Sequence, residues 1–204
     1  MFDSQLLALG KAPLGRLADT LHRRGWHADT VTGCGFVAAL VAAALIVAGH
    51  STLALVAIAA NRLADGLDGE LARRAGPTDR GAFLDITLDF LFYAMIPLAF
   101  ALADPAANAL AAAVLIFSFI GTGTSFLAFA ILAQRRGLSS TRYPSKGFYY
   151  LGGLTEAGET LAVFTLMALF PAWFVPLAYG FALLCLISTA LRIRAGLEAF
   201  QAPD

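Results

Sequence analysis

The chain of 204 residues carries as many acidic as basic side chains, so its formal net charge is zero. Hydrophobic residues make up 59% of it and charged residues 14%, against roughly 25% charged residues in a soluble domain, and its mean hydropathy is +0.74. These values exclude an ordinary soluble domain, and no basic run marks a nucleic-acid partner; an all-α, polytopic membrane protein is expected.

Residues 1–29 are too polar to span a bilayer. Leu14, Leu17, Ala18 and Leu21 recur at helical spacing, Pro13 suits a first helical position, and a short helix on the membrane surface is predicted. Six spans follow, at about 30–49, 52–74, 81–103, 108–133, 147–169 and 171–191. His50-Ser51, Gly76-Pro77, Asp104-Pro105 and Phe170-Pro171 mark turns, and QRRGLSSTRYPSK (134–146) forms a polar loop. Gly121 and Gly123 in the fourth span are small enough for close helix packing. Cys34 and Cys185 lie in apolar stretches and read as buried small hydrophobes. The organisation expected is an interfacial segment over 1–29, a six-helix transmembrane domain over 30–194 and a short polar tail over 195–204.

With the N-terminus in the cytoplasm, all 14 Lys and Arg residues fall in cytoplasmic segments or the adjoining helix ends. This pattern puts the stretch NRLADGLDGELARRAGPTDRGAFLDITLDF (61–90) near the cytoplasmic face. Asp65 and Asp68 share one helix face there, as do Asp85 and Asp89 on the next helix. A charge at mid-bilayer costs roughly 2.5–3.5 kcal/mol, and four clustered carboxylates repel one another. Divalent cations would offset that charge, and oxygen-only ligands favour Mg²⁺, Mn²⁺ or Ca²⁺ over zinc. Helix capping, or pairing with Arg62, Arg73, Arg74 and Arg80, is the plainer alternative.

The pattern Asp65-x2-Asp68-Gly69-x2-Ala72-Arg73…Gly81-x3-Asp85-x3-Asp89 resembles the signature of the CDP-alcohol phosphatidyltransferase family, within it a bacterial branch. The resemblance implies an integral membrane enzyme with six transmembrane helices and two Mg²⁺ or Mn²⁺ ions, functioning as a homodimer in the inner membrane with its active site facing the cytoplasm. It implies transfer of a phosphatidyl group from CDP-diacylglycerol, or a similar CDP-alcohol, to an acceptor alcohol, with release of CMP. It further implies metal binding by Asp65, Asp68, Asp85 and Asp89, with Asp89 also the catalytic base. Donor binding falls to Asp29, Thr32, Asp65, Gly69, Ala72, Arg73 and Thr78. The loop between Arg73 and Gly81 is one residue shorter than is usual in the family. At the entry to the first span, Ala28-Asp29-Thr30-Val31-Thr32 replaces a Pro-Asn-x-x-Thr-like segment, and a capping role for Asp29 or Thr30 competes with donor binding.

Arg135, Arg136, Arg142 and Lys146 read either as positive-inside charge or as a phosphate pocket for an anionic acceptor. Glu156 and Glu159, placed two to three turns into the fifth span, are acceptor-binding candidates or ion-pair partners. Two other functions compete. A UbiA-like prenyltransferase also binds a lipid diphosphate through Asp-rich helices, and a cation transporter could use an acidic pocket.

Overall fold

The computed structural model describes residues 3–137 and 155–201, with side chains from residue 13 onward. Among these residues the protein is all helical: α1 (Asp3–Arg23), α2 (Ala28–Val47), α3 (Ser51–Ala75), α4 (Asp79–Ala103), α5 (Pro105–Arg135), α6 (Ala157–Leu169), a 3₁₀ turn (Pro171–Trp173) and α7 (Phe174–Ala199). Four stretches are long and apolar enough to cross a membrane: α2, α4, α5, and the 3₁₀ turn with α7. The chain is a multi-pass membrane protein. Large apolar side chains such as Val56, Leu110 and Phe117 are more than 60% exposed, an arrangement that hydrocarbon solvates and water does not.

Small residues set the helix spacing. Ala39 and Ala42 of α2 and Ala54 of α3 are fully buried where the two helices meet. As expected, Gly121 and Gly123 admit close neighbours, Thr189 of α7 and Phe90 of α4 respectively. An aromatic core ties the other helices together. Phe100 stacks on Phe174 with centroids 4.7 Å apart, and Phe92 meets Phe164 edge-on at 6.1 Å.

Several boundaries differ from those expected. α1 begins ten residues before Pro13, which therefore lies inside the helix. Leu14, Ala18 and Leu21 pack on Leu67 and Leu71 of α3, so α1 is docked on protein along this face. Arg74 reinforces the contact, donating to Asp19 Oδ1 at 2.6 Å and to the Gly15 carbonyl at 3.0 Å. That hydrogen bond holds the Asp19 carboxyl below its ordinary value. α7 continues helically to Ala199, five residues into the segment read as a polar tail. The described part of α6 starts at Ala157, so Glu156 and Glu159 stand at its N-terminus and not turns inside a longer helix. Residues 147–154 lie outside the described residues. Cys34 is exposed, while Cys185 is buried as expected.

Candidate active site

Two helices meeting at a tight turn build the site. α3 carries Asp65 and Asp68 on its last turns and ends at Gly76, whose φ of +95° favours glycine. Pro77 follows, and Thr78 caps α4 by accepting from the Gly81 N–H at 3.0 Å. The missing residue in this loop therefore leaves the start of α4 intact. Gly81 itself is needed for a close approach. A Cβ there would stand 3.1 Å from Thr78 Oγ1 and 3.2 Å from Asp29 Oδ1. α4 then returns along α3, and Asp65, Asp68, Asp85 and Asp89 line one cavity of about 20 Å³.

α2 closes the third side. Gly35 lies against Ala64, where a Cβ would come within 2.8 Å of the Ala64 Cβ. At this distance Thr32 Oγ1 donates to Asp68 Oδ2 at 2.6 Å, and Asn61 Nδ2 donates to the Gly35 carbonyl at 2.9 Å. Asp29 does not cap α2. The cap position is His27, and Asp29 sits in the first turn, with Arg80 3.3 Å from its carboxylate. Thr30 is likewise inside the helix.

The carboxylates are engaged unequally. Arg62 Nη1 donates to Asp89 Oδ1 at 2.7 Å and stands 3.8 Å from Asp65 Oδ2. Asn61 Oδ1 accepts from Arg62 Nε at 2.8 Å and Nη2 at 2.6 Å. The guanidinium carbon lies 4.2 Å above the Phe92 ring centre. Among the described residues no three carboxylates converge to a coordinating arrangement. Like charges held around a cavity keep apart, and Arg62 and Thr32 each draw one carboxylate to themselves. The donor set, four carboxylates and no thiolate or imidazole, nevertheless fits hard divalent cations.

The model of the CDP-alcohol phosphatidyltransferase family matches residues 26–193. The chain belongs to this family. It is 48% identical over 196 residues to the inner membrane protein YnjF of Escherichia coli, covering 96% of this chain and 95% of that one. A shorter match, 34% identical over 82 residues, is to the phosphatidylcholine synthase of Pseudomonas aeruginosa and covers 38% of this chain and 34% of the synthase. The fold is shared with the phosphatidylinositol phosphate synthase of Mycobacterium tuberculosis. The structure of that enzyme with manganese and citrate superposes with a TM-score of 0.73 at 20% identity, covering 94% of this chain and 93% of the other. Its structure with CDP-DAG bound superposes with a TM-score of 0.69 at 20% identity, covering 94% and 98%. Membership of this family removes the grounds for the prenyltransferase and transporter readings.

Gly69 presents bare backbone, with the Arg73 guanidinium 3.6 Å from where a Cβ would lie. Arg73 is exposed and paired with Glu70 at 2.6 Å, so its guanidinium can swing to a ligand at little cost. Ala72 is half-buried one turn beyond Asp68. Asp89 also lines a second, larger cavity of about 200 Å³ with Tyr93, Phe119, Thr122, Glu156 and Arg192. Of the acceptor candidates, Glu156 reaches this cavity. Glu159 instead accepts from the Glu156 N–H at 3.1 Å, closing the start of α6. Arg136 donates to the Phe200 and Gln201 carbonyls, and Arg135 is exposed at the end of α5. Arg142 and Lys146 lie outside the described residues.

Three residues beside the site escaped the sequence reading. Gly35 sets the α2–α3 distance. Arg62, read only as a possible ion-pair partner, is central to the acidic cluster, and the polar pair Asn61-Arg62 inside an apolar stretch was its signal. Arg192, buried near the end of α7, donates to the Thr122 carbonyl at 3.0 Å.

Proposed function

We propose that the protein moves a phosphatidyl or similar substituted phosphate group from CDP-diacylglycerol, or another CDP-alcohol, to an acceptor alcohol and releases CMP, in phospholipid synthesis. The observation that carries this reading is Asp89, which lines both the small acidic cavity and the larger one beside it. A group so placed can serve a phosphate on one side and an acceptor hydroxyl on the other.

In the proposed reaction the donor diphosphate lies over Gly69, where the backbone admits it, with Ala72 small beneath it and Arg73, Asp29, Thr32 and Thr78 around it. Asp65, Asp68, Asp85 and Asp89 would hold two divalent ions, Mg²⁺ or Mn²⁺, which when bound neutralise the diphosphate and its leaving group. Asp89 takes the proton of the acceptor hydroxyl. The acceptor oxygen bonds to the β-phosphorus, the bond from that phosphorus to the bridging oxygen breaks, and the electron pair leaves with CMP. The acceptor occupies the larger cavity, where Glu156 and Arg192 provide its polar contacts; the basic residues Arg135, Arg142 and Lys146 supply further charge if the acceptor carries phosphate. Six spans, drawn from α2 to α7, form the domain over 30–194, with residues 1–29 at the interface and the tail over 195–204 continuing α7 as far as Ala199. The Arg and Lys distribution supports a cytoplasmic active site in the inner membrane, and the working unit is taken to be a homodimer.

The test is an acceptor screen. Purified protein with CDP-diacylglycerol and Mg²⁺ or Mn²⁺ is offered phosphorylated polyols, neutral polyols and amino alcohols in turn. One class should release CMP, and Asp89→Asn should abolish that release. Metal binding without CMP from any class rejects the proposal.

A further inference from the structure

The geometry points to Arg62 as a positioning residue for Asp89: Asn61 and Phe92 fix its guanidinium so that one Asp89 oxygen stays tied down while the other faces the reaction. This rests on the proposed role of Asp89 as the base. A simple ion pair needs one partner, whereas Arg62 is held from several sides. Asn61 Oδ1 accepts two of its N–H groups, the Phe92 ring lies 4.2 Å below, and the Tyr93 hydroxyl is 3.4 Å from Nη1. Neither support is loose. Asn61 is itself anchored to the α2 backbone through the Gly35 carbonyl, and Phe92 is fully buried against Phe164. A continuous chain of contacts therefore runs from the α2 backbone, through Asn61 and Arg62 of α3, to Asp89 of α4. It fixes the carboxylate at the boundary of the two cavities by reference to a helix that does not carry it. The planar fork of arginine is required, since a lysine ammonium cannot span Asn61 and Asp89 in one plane. The opposing view makes Arg62 a place-holder that leaves Asp89 when a cation arrives. Leaving would strand the buried Asn61 carbonyl oxygen, which the fork satisfies twice.

The experiment pairs steady-state kinetics on CDP-diacylglycerol with Mn²⁺ binding followed by electron paramagnetic resonance. The variants are Arg62→Gln, Arg62→Lys, Asn61→Ala and Asp89→Asn. Arg62→Gln should lower kcat about 100-fold while the donor KM and the Mn²⁺ Kd stay within about threefold, the signature of lost positioning. Arg62→Lys keeps the charge without the fork and should recover only part of kcat. Asn61→Ala changes no charge and should also lower kcat with Mn²⁺ binding kept, which preserves the test if Arg62→Gln does not fold. Tighter Mn²⁺ binding with unchanged kcat in Arg62→Gln would make Arg62 a place-holder and overturn the inference. So would joint loss of Mn²⁺ binding and melting temperature in both the Gln and the Asn61→Ala variants, which would make the network purely structural. An active Asp89→Asn removes the base role and the inference with it; an inactive Asp89→Asn beside a fully active Arg62→Gln removes the inference alone.

Discussion

Gly35→Ala is a one-carbon test of the site's architecture. The added Cβ would stand 2.8 Å from the Ala64 Cβ, where carbons settle at about 3.5–4.0 Å, so α2 and α3 must part by about 0.7–1.2 Å. Neither atom is the end of a flexible side chain, so the backbones have to move. That motion stretches the 2.9 Å bond from Asn61 to the Gly35 carbonyl to about 3.6 Å or more, which is no longer a hydrogen bond. Overpacking of this kind costs about 1–3 kcal/mol, or roughly 2–12 °C of melting temperature for a chain this size. Thr32 would also withdraw from Asp68, and displacement of about 1 Å at reacting groups can cost about 100-fold in rate. Thermal unfolding in detergent and CMP release, measured on the same preparation, read the two effects. A Gly35→Ala protein with wild-type melting and wild-type turnover would show that the α2–α3 contact does not hold the site as described.

Thr32→Val removes the hydroxyl 2.6 Å from Asp68 at nearly constant volume; the divalent-metal concentration for half-maximal activity should rise about 10–100-fold, and an unchanged metal dependence would show that this bond does not orient Asp68. Glu156→Gln should raise the acceptor KM and leave the donor KM alone, whereas an unaltered acceptor KM returns Glu156 to a structural role. The Asp19–Arg74 contact should fail in acid. The Asp19 carboxyl is held below its ordinary 3.8 by the Arg74 hydrogen bond, so its contribution is complete above that value and is lost as pH falls through the lower, folded value. Hydrogen exchange in α1, corrected for intrinsic rates, should accelerate below about pH 3.8, and Asp19→Asn should flatten the dependence.

Much of the site could be read from spacing because helices convert spacing directly into shared faces. Asp65 and Asp68, or Asp85 and Asp89, could be paired without knowing the fold, and Gly76-Pro77 announced the turn that brings the two helices together. Arg62 could not be assigned in this way. Its partners Asn61, Asp89 and Phe92 span two helices, and the polar pair Asn61-Arg62 in an apolar stretch marks the position without naming the partner across the helices. The same limit explains Arg136, which is spent on the Phe200 and Gln201 carbonyls at the far end of the chain. Helix ends were misjudged where composition and structure diverge. Residues 195–199 are polar enough to read as tail, yet they continue α7, where Arg194 and Glu198 pair at 2.9 Å one turn apart. Pro13 looked like a helix start, but α1 runs through it. Gly35 was inconspicuous because an apolar span tolerates glycine anywhere, and only the position of Ala64 makes it necessary.

The acidic cavity of α3 and α4 is proposed to transfer a phosphate group with CMP as leaving group. The most direct measurement follows CDP-diacylglycerol labelled at the β-phosphorus, with divalent metal and the acceptor class found by screening. The label should appear in a new phospholipid mole for mole with CMP released, and chelation of the metal or Asp89→Asn should stop both. Label recovered as phosphatidic acid with no acceptor ester formed, or CMP release that persists in Asp89→Asn, would contradict the proposal.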